Sequence, residues 1–326
     1  VQFIDASDYI ERIGQNTGGT RAKTLLQSPD DGRDWFFKCS EYKPAKDGKP
    51  EKYYKYEFWS EVIASEIGVL LGIDVLAYYP AIFGKKIGCI SPHMITPEEE
   101  NAKLTEVGRY MTLIDHSFLP DDRISRKRYT FQLLESTITT FGLERFWPYF
   151  FTTLIFDGLI GNTDRHQENW AFLERNISVK FDQAFISQPN PLELDVTDVI
   201  RMAPVYDNGS SLGRELSDER VEQLMNDPRQ LSAYVDNGKS ELHWNGSKIT
   251  HFDLIGNLLN TPYADMVRQT ALCLNNWDEQ GMKNIINLVD SSVPDEWKGY
   301  CIPAARKALI IKILTLRAFK LREMLS

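Results

Sequence analysis

Over the first ninety residues, short runs in which apolar and polar positions alternate, at 23–27, 34–39, 78–83 and 86–90, are separated by glycine and Asp-Gly steps. That is the period-two texture of strands joined by turns. One longer stretch, 56–71, spaces Phe58, Val62, Ile63, Ile67 and Leu70 along one side, which predicts a helix with a single buried face. Beyond Pro92 the period becomes helical, with runs at 97–107, 128–141, 145–160, 218–225, 252–259 and 263–280 and an amphipathic closing run at 303–324. Between the two textures, the extended stretch 88–92 ends on proline, as suits a hinge. Residues 186–195, with two prolines and little periodicity, predict a surface loop. The expectation is an α+β protein of two unequal lobes: residues 1–92, a small β-rich lobe with one helix, and residues 93–326, mainly helical.

Composition narrows the class. A chain of 326 residues with 42% hydrophobic content can bury a sizeable core, which excludes disorder as its main state. Forty-six acidic against 37 basic residues leave a net charge of −9, which argues against a surface built to neutralise nucleic-acid phosphates or anionic lipid. The four cysteines, Cys39, Cys89, Cys273 and Cys301, lack the spacing of a disulfide framework or zinc knuckle and fit reduced thiols in a cytosol. The longest apolar run, 146–156, contains Pro148 and stops at Asp157, well short of the roughly 20 residues that span a bilayer. The first residues lack the basic and apolar regions of a signal peptide. A cytoplasmic protein, with neither membrane nor nucleic acid as a direct partner, is expected.

The most informative stretch is Leu-Ile-Gly-Asn-Thr-Asp-Arg-His-Gln-Glu-Asn-Trp at 159–170. It follows an apolar helix and precedes a short β-like run at 170–173, so its polar groups face a cleft at the end of a buried element. Asp164 and Asn169 stand five residues apart, the separation of the aspartate and asparagine in the catalytic loop of protein kinases. In phosphoryl transfer one carboxylate orients the acceptor hydroxyl, and a neutral amide oxygen further along holds a magnesium without overloading it with charge. His166, between them, is expected to fix the loop by hydrogen bonding. Downstream, Ala-Pro-Val-Tyr-Asp at 203–207 followed by Asn-Gly reads as a short strand that presents Asp207 at its end. Alone this is a β-turn; with the Asp164 loop upstream it reads as a metal-binding carboxylate.

The first lobe supplies candidates for the phosphates. The turn at 14–23 could bring the backbone of Gly18 and Gly19 and the hydroxyls of Thr17 and Thr20 onto an anion, although it matches neither the Walker pattern nor the kinase Gly-x-Gly-x-x-Gly. Lys38 ends the apolar run Trp35-Phe36-Phe37, where a desolvated ammonium needs an anion. Glu57 and Glu61 lie one turn apart in the following helix, and Glu61 is the expected partner; the competing reading is a lysine that is merely solvated. Three other features read as structure rather than chemistry: His243 and His251 as ordinary hairpin residues, the aromatic run 146–151 as core, and the basic residues of 123–128 as a solvated helix start.

These residues together, Gly-Gly-Thr-Arg-Ala-Lys at 18–23, Phe-Phe-Lys38, the Glu61 helix running into Ile-Gly-Val-Leu-Leu-Gly-Ile-Asp-Val at 67–75, the Asp164 loop and Ala-Pro-Val-Tyr-Asp207, resemble the HipA-like serine/threonine kinases of bacteria. The order and spacing match over most of the chain. The resemblance implies a two-lobed protein-kinase-like fold with ATP and Mg2+ as cofactors. It makes Asp164 the catalytic aspartate, supported by His166, and Asn169 and Asp207 the metal ligands. Lys38 becomes the phosphate-binding lysine and Glu61 its partner, while residues near 88–91, Cys89 and Ile90 among them, hold the adenine. Members of that family act as toxins on translation factors such as aminoacyl-tRNA synthetases, are neutralised by a DNA-binding antitoxin, and autophosphorylate in the glycine-rich loop. A protein substrate and an antitoxin are thus the implied partners.

Two departures qualify it. The familiar autophosphorylated serine is absent, leaving Thr17 and Thr20 as substitutes. The toxins also carry a small subdomain before the loop, whereas thirteen residues precede Gly14 here, so a separate polypeptide supplies that part or the kinase has another role. The Asn-Thr-Asp-Arg-His-x-x-Asn pattern is similar, too, to the catalytic loop of phosphatidylinositol kinases. A lipid or small-molecule acceptor ranks second, because net charge opposes anionic membranes. A catalytically inactive binding module ranks third, since every expected catalytic position is filled.

Overall fold

The computed structural model describes residues 1–12, 23–40, 42–43, 51–96, 99, 101–119, 122, 125–180 and 193–326. The first part of the chain gives strands β1 (Ile4–Asp5), β2 (Ile10–Glu11), β3 (Thr24–Gln27), β4 (Asp34–Cys39), β5 (Tyr42–Lys43) and β6 (Lys52–Tyr53), then helix α1 (Glu57–Leu71) and strands β7 (Tyr79–Phe83) and β8 (Lys86–Pro92). Six of the strands form one sheet in the order β1-β7-β8-β4-β3-β2, and β5 and β6 form a separate ribbon. β1 runs parallel to β7 and the other pairings in the large sheet are antiparallel.

Side-chain alternation divides this sheet sharply. Leu26, Phe37, Ala81 and Ile90 pack with Ala6 on its outer face. Lys38 and Cys89, cross-strand partners one position along, must therefore point to the other face, where α1 lies against β7 and β8. Gly88 is what lets β4 and β8 approach there: a Cβ on it would stand 2.0 Å from the Lys38 carbonyl oxygen.

The remainder begins with β9 (Ala102–Glu106), α2 (Val107–Ile114), α3 (Phe131–Thr140), α4 (Trp147–Ile160), β10 (Ala171–Lys180) and β11 (Glu193–Met202). It continues with α5 (Asp218–Asn226), α6 (Pro228–Asp236), α7 (His251–Leu258), α8 (Ala264–Thr270), α9 (Glu279–Leu288) and α10 (Ala304–Leu325). Strands β11, β10 and β9 form a three-stranded antiparallel sheet in that order. α4 is apolar nearly all round and accordingly sits inside the helical part, with α7, α8 and α10 packed on it. The aromatic run is core as expected: Trp147, Phe150 and Phe151 are buried. One continuous cluster runs from α1 through α4 to α10. Among the described residues no helix is long and apolar enough to cross a membrane.

Several sequence expectations are corrected. The helix expected at 97–107 is, from Ala102 to Glu106, strand β9, which finds its partner nearly seventy residues away in β10. The stretch 88–92 is the end of β8, hydrogen-bonded into the sheet between β4 and β7, rather than a free hinge. The helix expected at 263–280 is α8 followed by a tighter 3-10 turn, Ala271–Asn276, and it stops where the Asp278 carboxylate accepts from the Gln280 N–H at 3.0 Å and caps α9. The expected strand before Asp207 reduces to one parallel bridge, Val75 to Val205. Within the loop expected at 186–195, residues 186–192 lie outside the described residues and 193–195 begin β11.

Candidate active site

The burial of α4 fixes the catalytic-loop candidate in place. The helix ends because Gly161 takes a left-handed conformation (φ 67°), which only glycine adopts without cost. The next residue, Asn162, is wholly buried and uses both ends of its amide: Nδ2 donates to Asp157 at 3.1 Å, and Oδ1 accepts from the Asp164 N–H at 3.2 Å. The loop then folds back on itself. The Asn169 Nδ2 donates to the Asp164 carbonyl at 2.9 Å, and the His166 N–H donates to the same carbonyl at 2.9 Å. The His166 Nδ1 accepts from the Glu168 N–H at 3.4 Å, a contact within the loop itself.

Arg165 locks this loop to the next segment. Its side chain is 2% exposed and makes a two-pronged pair with Asp157, with Nε 3.0 Å from Oδ2 and Nη2 2.8 Å from Oδ1. It also donates to the Tyr206 carbonyl and to Asn208 Oδ1. Burial works against both charges, raising the Asp157 pKa and opposing ionisation of Arg165; the carboxylate nevertheless holds the guanidinium firmly protonated. We take the ion pair as the form present, since a guanidinium fork on one carboxylate is the strongest arrangement open to either group.

The segment so anchored carries Asp207, one of three non-glycine residues with positive φ (58°) among the described residues. Its Oδ1 lies 3.0 Å from the Lys38 Nζ, and Glu61 Oε1 lies 3.1 Å from the same nitrogen. A third oxygen, the Tyr78 hydroxyl, stands at 3.5 Å. Burial opposes the Lys38 charge, but Asp207 and then Glu61 outweigh it and leave its pKa well above the usual value. Glu61 is itself positioned by the Asn208 N–H, which donates to Oε2 at 2.7 Å. Ser210 donates to Asp164 Oδ2 at 3.3 Å, which joins the two acidic segments.

Lys38, Glu61, Asp207, Asp164 and Asn169 are thus brought together from β4, α1 and two loops. Cys89 shares the Lys38 face and is fully buried, with burial pushing its thiol pKa up. Ile90 lies on the opposite face, in the outer cluster away from Lys38, because successive strand residues alternate. Gly18, Gly19, Thr17 and Thr20 lie outside the described residues. His243 and His251 are separately buried, and among the described residues no three His, Cys, Asp or Glu side chains cluster to hold a metal. What the site offers a cation is the Asp207 carboxylate and the Asn169 amide oxygen, hard donors that suit a magnesium completed by phosphate and water rather than a zinc.

Sequence reasoning missed four contributors. Tyr78 and Asn208 carried no local signal. Arg214, which pairs with Glu57 and donates to Ser210, explains why Glu57 is not the partner of Lys38. Asp157 did carry a signal, a carboxylate that ends the longest apolar run of the chain and is followed by further apolar residues.

No family model matches the sequence, and no curated protein matches it. Among solved structures, the chain is similar to the Helicobacter pylori proinflammatory kinase CtkA, with a TM-score of 0.73 at 17% identity over 99% of this chain and 96% of that one. It is also similar to HipA of the Shewanella oneidensis toxin-antitoxin system, solved with HipB and operator DNA. That match has a TM-score of 0.50 at 10% identity and covers 95% of this chain and 65% of that one. The fold is therefore kinase-like, one shared with CtkA and HipA: a curled β-sheet followed by a helical region.

Proposed function

We propose that the protein is a phosphotransferase that uses ATP and magnesium to phosphorylate a serine or threonine of another protein. The observation that carries this reading is the Lys38 ammonium held between Glu61 and Asp207 beside a loop bearing Asp164 and Asn169. In that role Lys38 binds the donor's phosphates and Glu61 aims it. Asp164 orients the acceptor hydroxyl and takes up its proton, while Ser210 holds one carboxylate oxygen in position. Asp207 and Asn169 would hold the magnesium, which supplies neutralisation of phosphate charge. Catalysis of this kind is chiefly positioning and electrostatics. The glycine-containing turn would cover the phosphates, with Thr17 and Thr20 as its candidate autophosphorylation sites and Cys89 near the base. A partner of antitoxin type, and a translation factor as acceptor, extend the reading by likeness to the HipA system. The lobes would divide near residue 92.

The deciding measurement is transfer of label from γ-labelled ATP into lysate protein. Asp164→Asn is expected to lose about 10²–10⁴-fold in rate while still binding nucleotide. Equal labelling by the two proteins would overturn the assignment, and label that partitions into organic solvent would move it to the lipid-kinase reading.

A further inference from the structure

A cavity of about 450 Å³ opens beside the catalytic loop and shares Gly161 and Thr163 with it. Thr163 is exposed and immediately precedes Asp164. Against this cavity lies Arg317 of α10, 2% exposed. Its Nη1 donates to the Gly158 carbonyl at 2.9 Å, while its buried Nε has no hydrogen-bond partner. Among the described residues no carboxylate is ion-paired with it, and burial brings its pKa down to about 10.

Two glycines make room for this guanidinium. A Cβ on Gly161 would stand 3.1 Å from it, and one on Gly238 would stand 2.4 Å from Nη2. Lys239 is exposed on the same cavity, and Arg220 from α5 reaches it, its Nη1 donating to the neutral amide oxygens of Gln223 and Gln230. The one carboxylate there, Glu215, accepts from the Tyr234 hydroxyl at 2.7 Å.

Capping the C-terminal carbonyls of α4 explains one of the five N–H groups of Arg317. It does not explain a buried Nε left unpaired, which is unfavourable for any donor taken from water, nor two further cations on the same cavity. Of the charged side chains that line the cavity, three are cations and one is a carboxylate, a lining that suits a dianion, and a guanidinium fork suits its oxygens. We propose that this cavity binds a phosphomonoester already present on the acceptor protein, so that the enzyme modifies a hydroxyl near an existing phosphate. The acceptor assignment rests on the kinase reading; the anion site itself does not.

The test is a binding titration without ATP, using three fluorescent peptides identical except for a central phosphoserine, glutamate or serine. The phosphoserine peptide is expected to bind about tenfold more tightly than the serine peptide, the scale of one charge-assisted hydrogen bond, with glutamate between. Lys239→Gln and Arg220→Gln, checked for an unchanged unfolding midpoint, should each remove most of that preference. Arg317→Gln should remove it too, but it is buried and also tests packing, so the other pair decides. Equal binding of phosphoserine and glutamate, or an undiminished preference in both exposed variants, would overturn the proposal. Because no transfer is measured, the kinase reading fails or survives separately, on Asp164→Asn.

Discussion

His251 begins α7 with its ring 2% exposed and its Nε2 without a hydrogen-bond partner. Burial first, and then the charge of Arg317, push its pKa from 6.5 down to about 3. The native ring thus stays neutral over a range in which the unfolded chain takes up a proton. Its contribution to stability is complete above pH 6.5 and is lost as pH falls toward the native value. The loss proceeds at up to about 1.4 kcal/mol per pH unit. Denaturant unfolding at stepped pH measures this directly, and His251→Phe should flatten the acid limb; an unchanged slope would show that the ring is not the titrating group. At this scale the sequence was legible in part. Both histidines read as hairpin residues, whereas His251 begins α7, and nothing local foretold that Arg317, sixty-six positions on, would act on it.

β4 and β8 carry the pairing that aims Lys38, and Gly88 is the residue on which that pairing depends. Gly88→Ala must push the strands apart, since its Cβ would meet the Lys38 carbonyl at 2.0 Å. A loss of about 1–3 kcal/mol is expected, together with weaker nucleotide binding as Lys38 shifts. Chemical denaturation and ATP titration check both, with Gly299→Ala, whose Cβ would meet nothing within 4 Å, as the silent control. β3, β4, β7 and β8 were readable because each alternates over an outer apolar face, and α1 because its apolar stripe is long; β1 and β2, two residues each, are too short to show a period. β9 and β11 were not: Ala102–Glu106 has two apolar residues in five, and what makes it a strand is a partner distant in sequence. The break between α8 and α9 was hidden because the apolar spacing runs on while Asp278 restarts the helix.

Across the whole molecule, the candidate site was legible wherever chemistry is concentrated in a few neighbouring residues, as with Asp164 and Asn169 and with Asp207 at the end of 203–207. Its support was not, because Arg165, Asp157, Asn208 and Arg214 join segments that only the fold brings together. The Lys38 ammonium shows what that joining entails. An –NH3+ group has three hydrogens to give, and three oxygens from α1, the Asp207 segment and the residue preceding β7 already surround it. A phosphate therefore enters by exchange, not by addition, and the free protein carries its own competitor for the ligand. Asp207→Ala removes that competitor along with a metal donor, so its effect should change sign with conditions. In chelator the variant should bind ATP at least as tightly as the wild type, whereas with magnesium it should bind more weakly. Calorimetric titration in both buffers reads the two arms, and a variant weaker in each would mean that Asp207 helps the empty site receive its ligand instead of standing in the ligand's place.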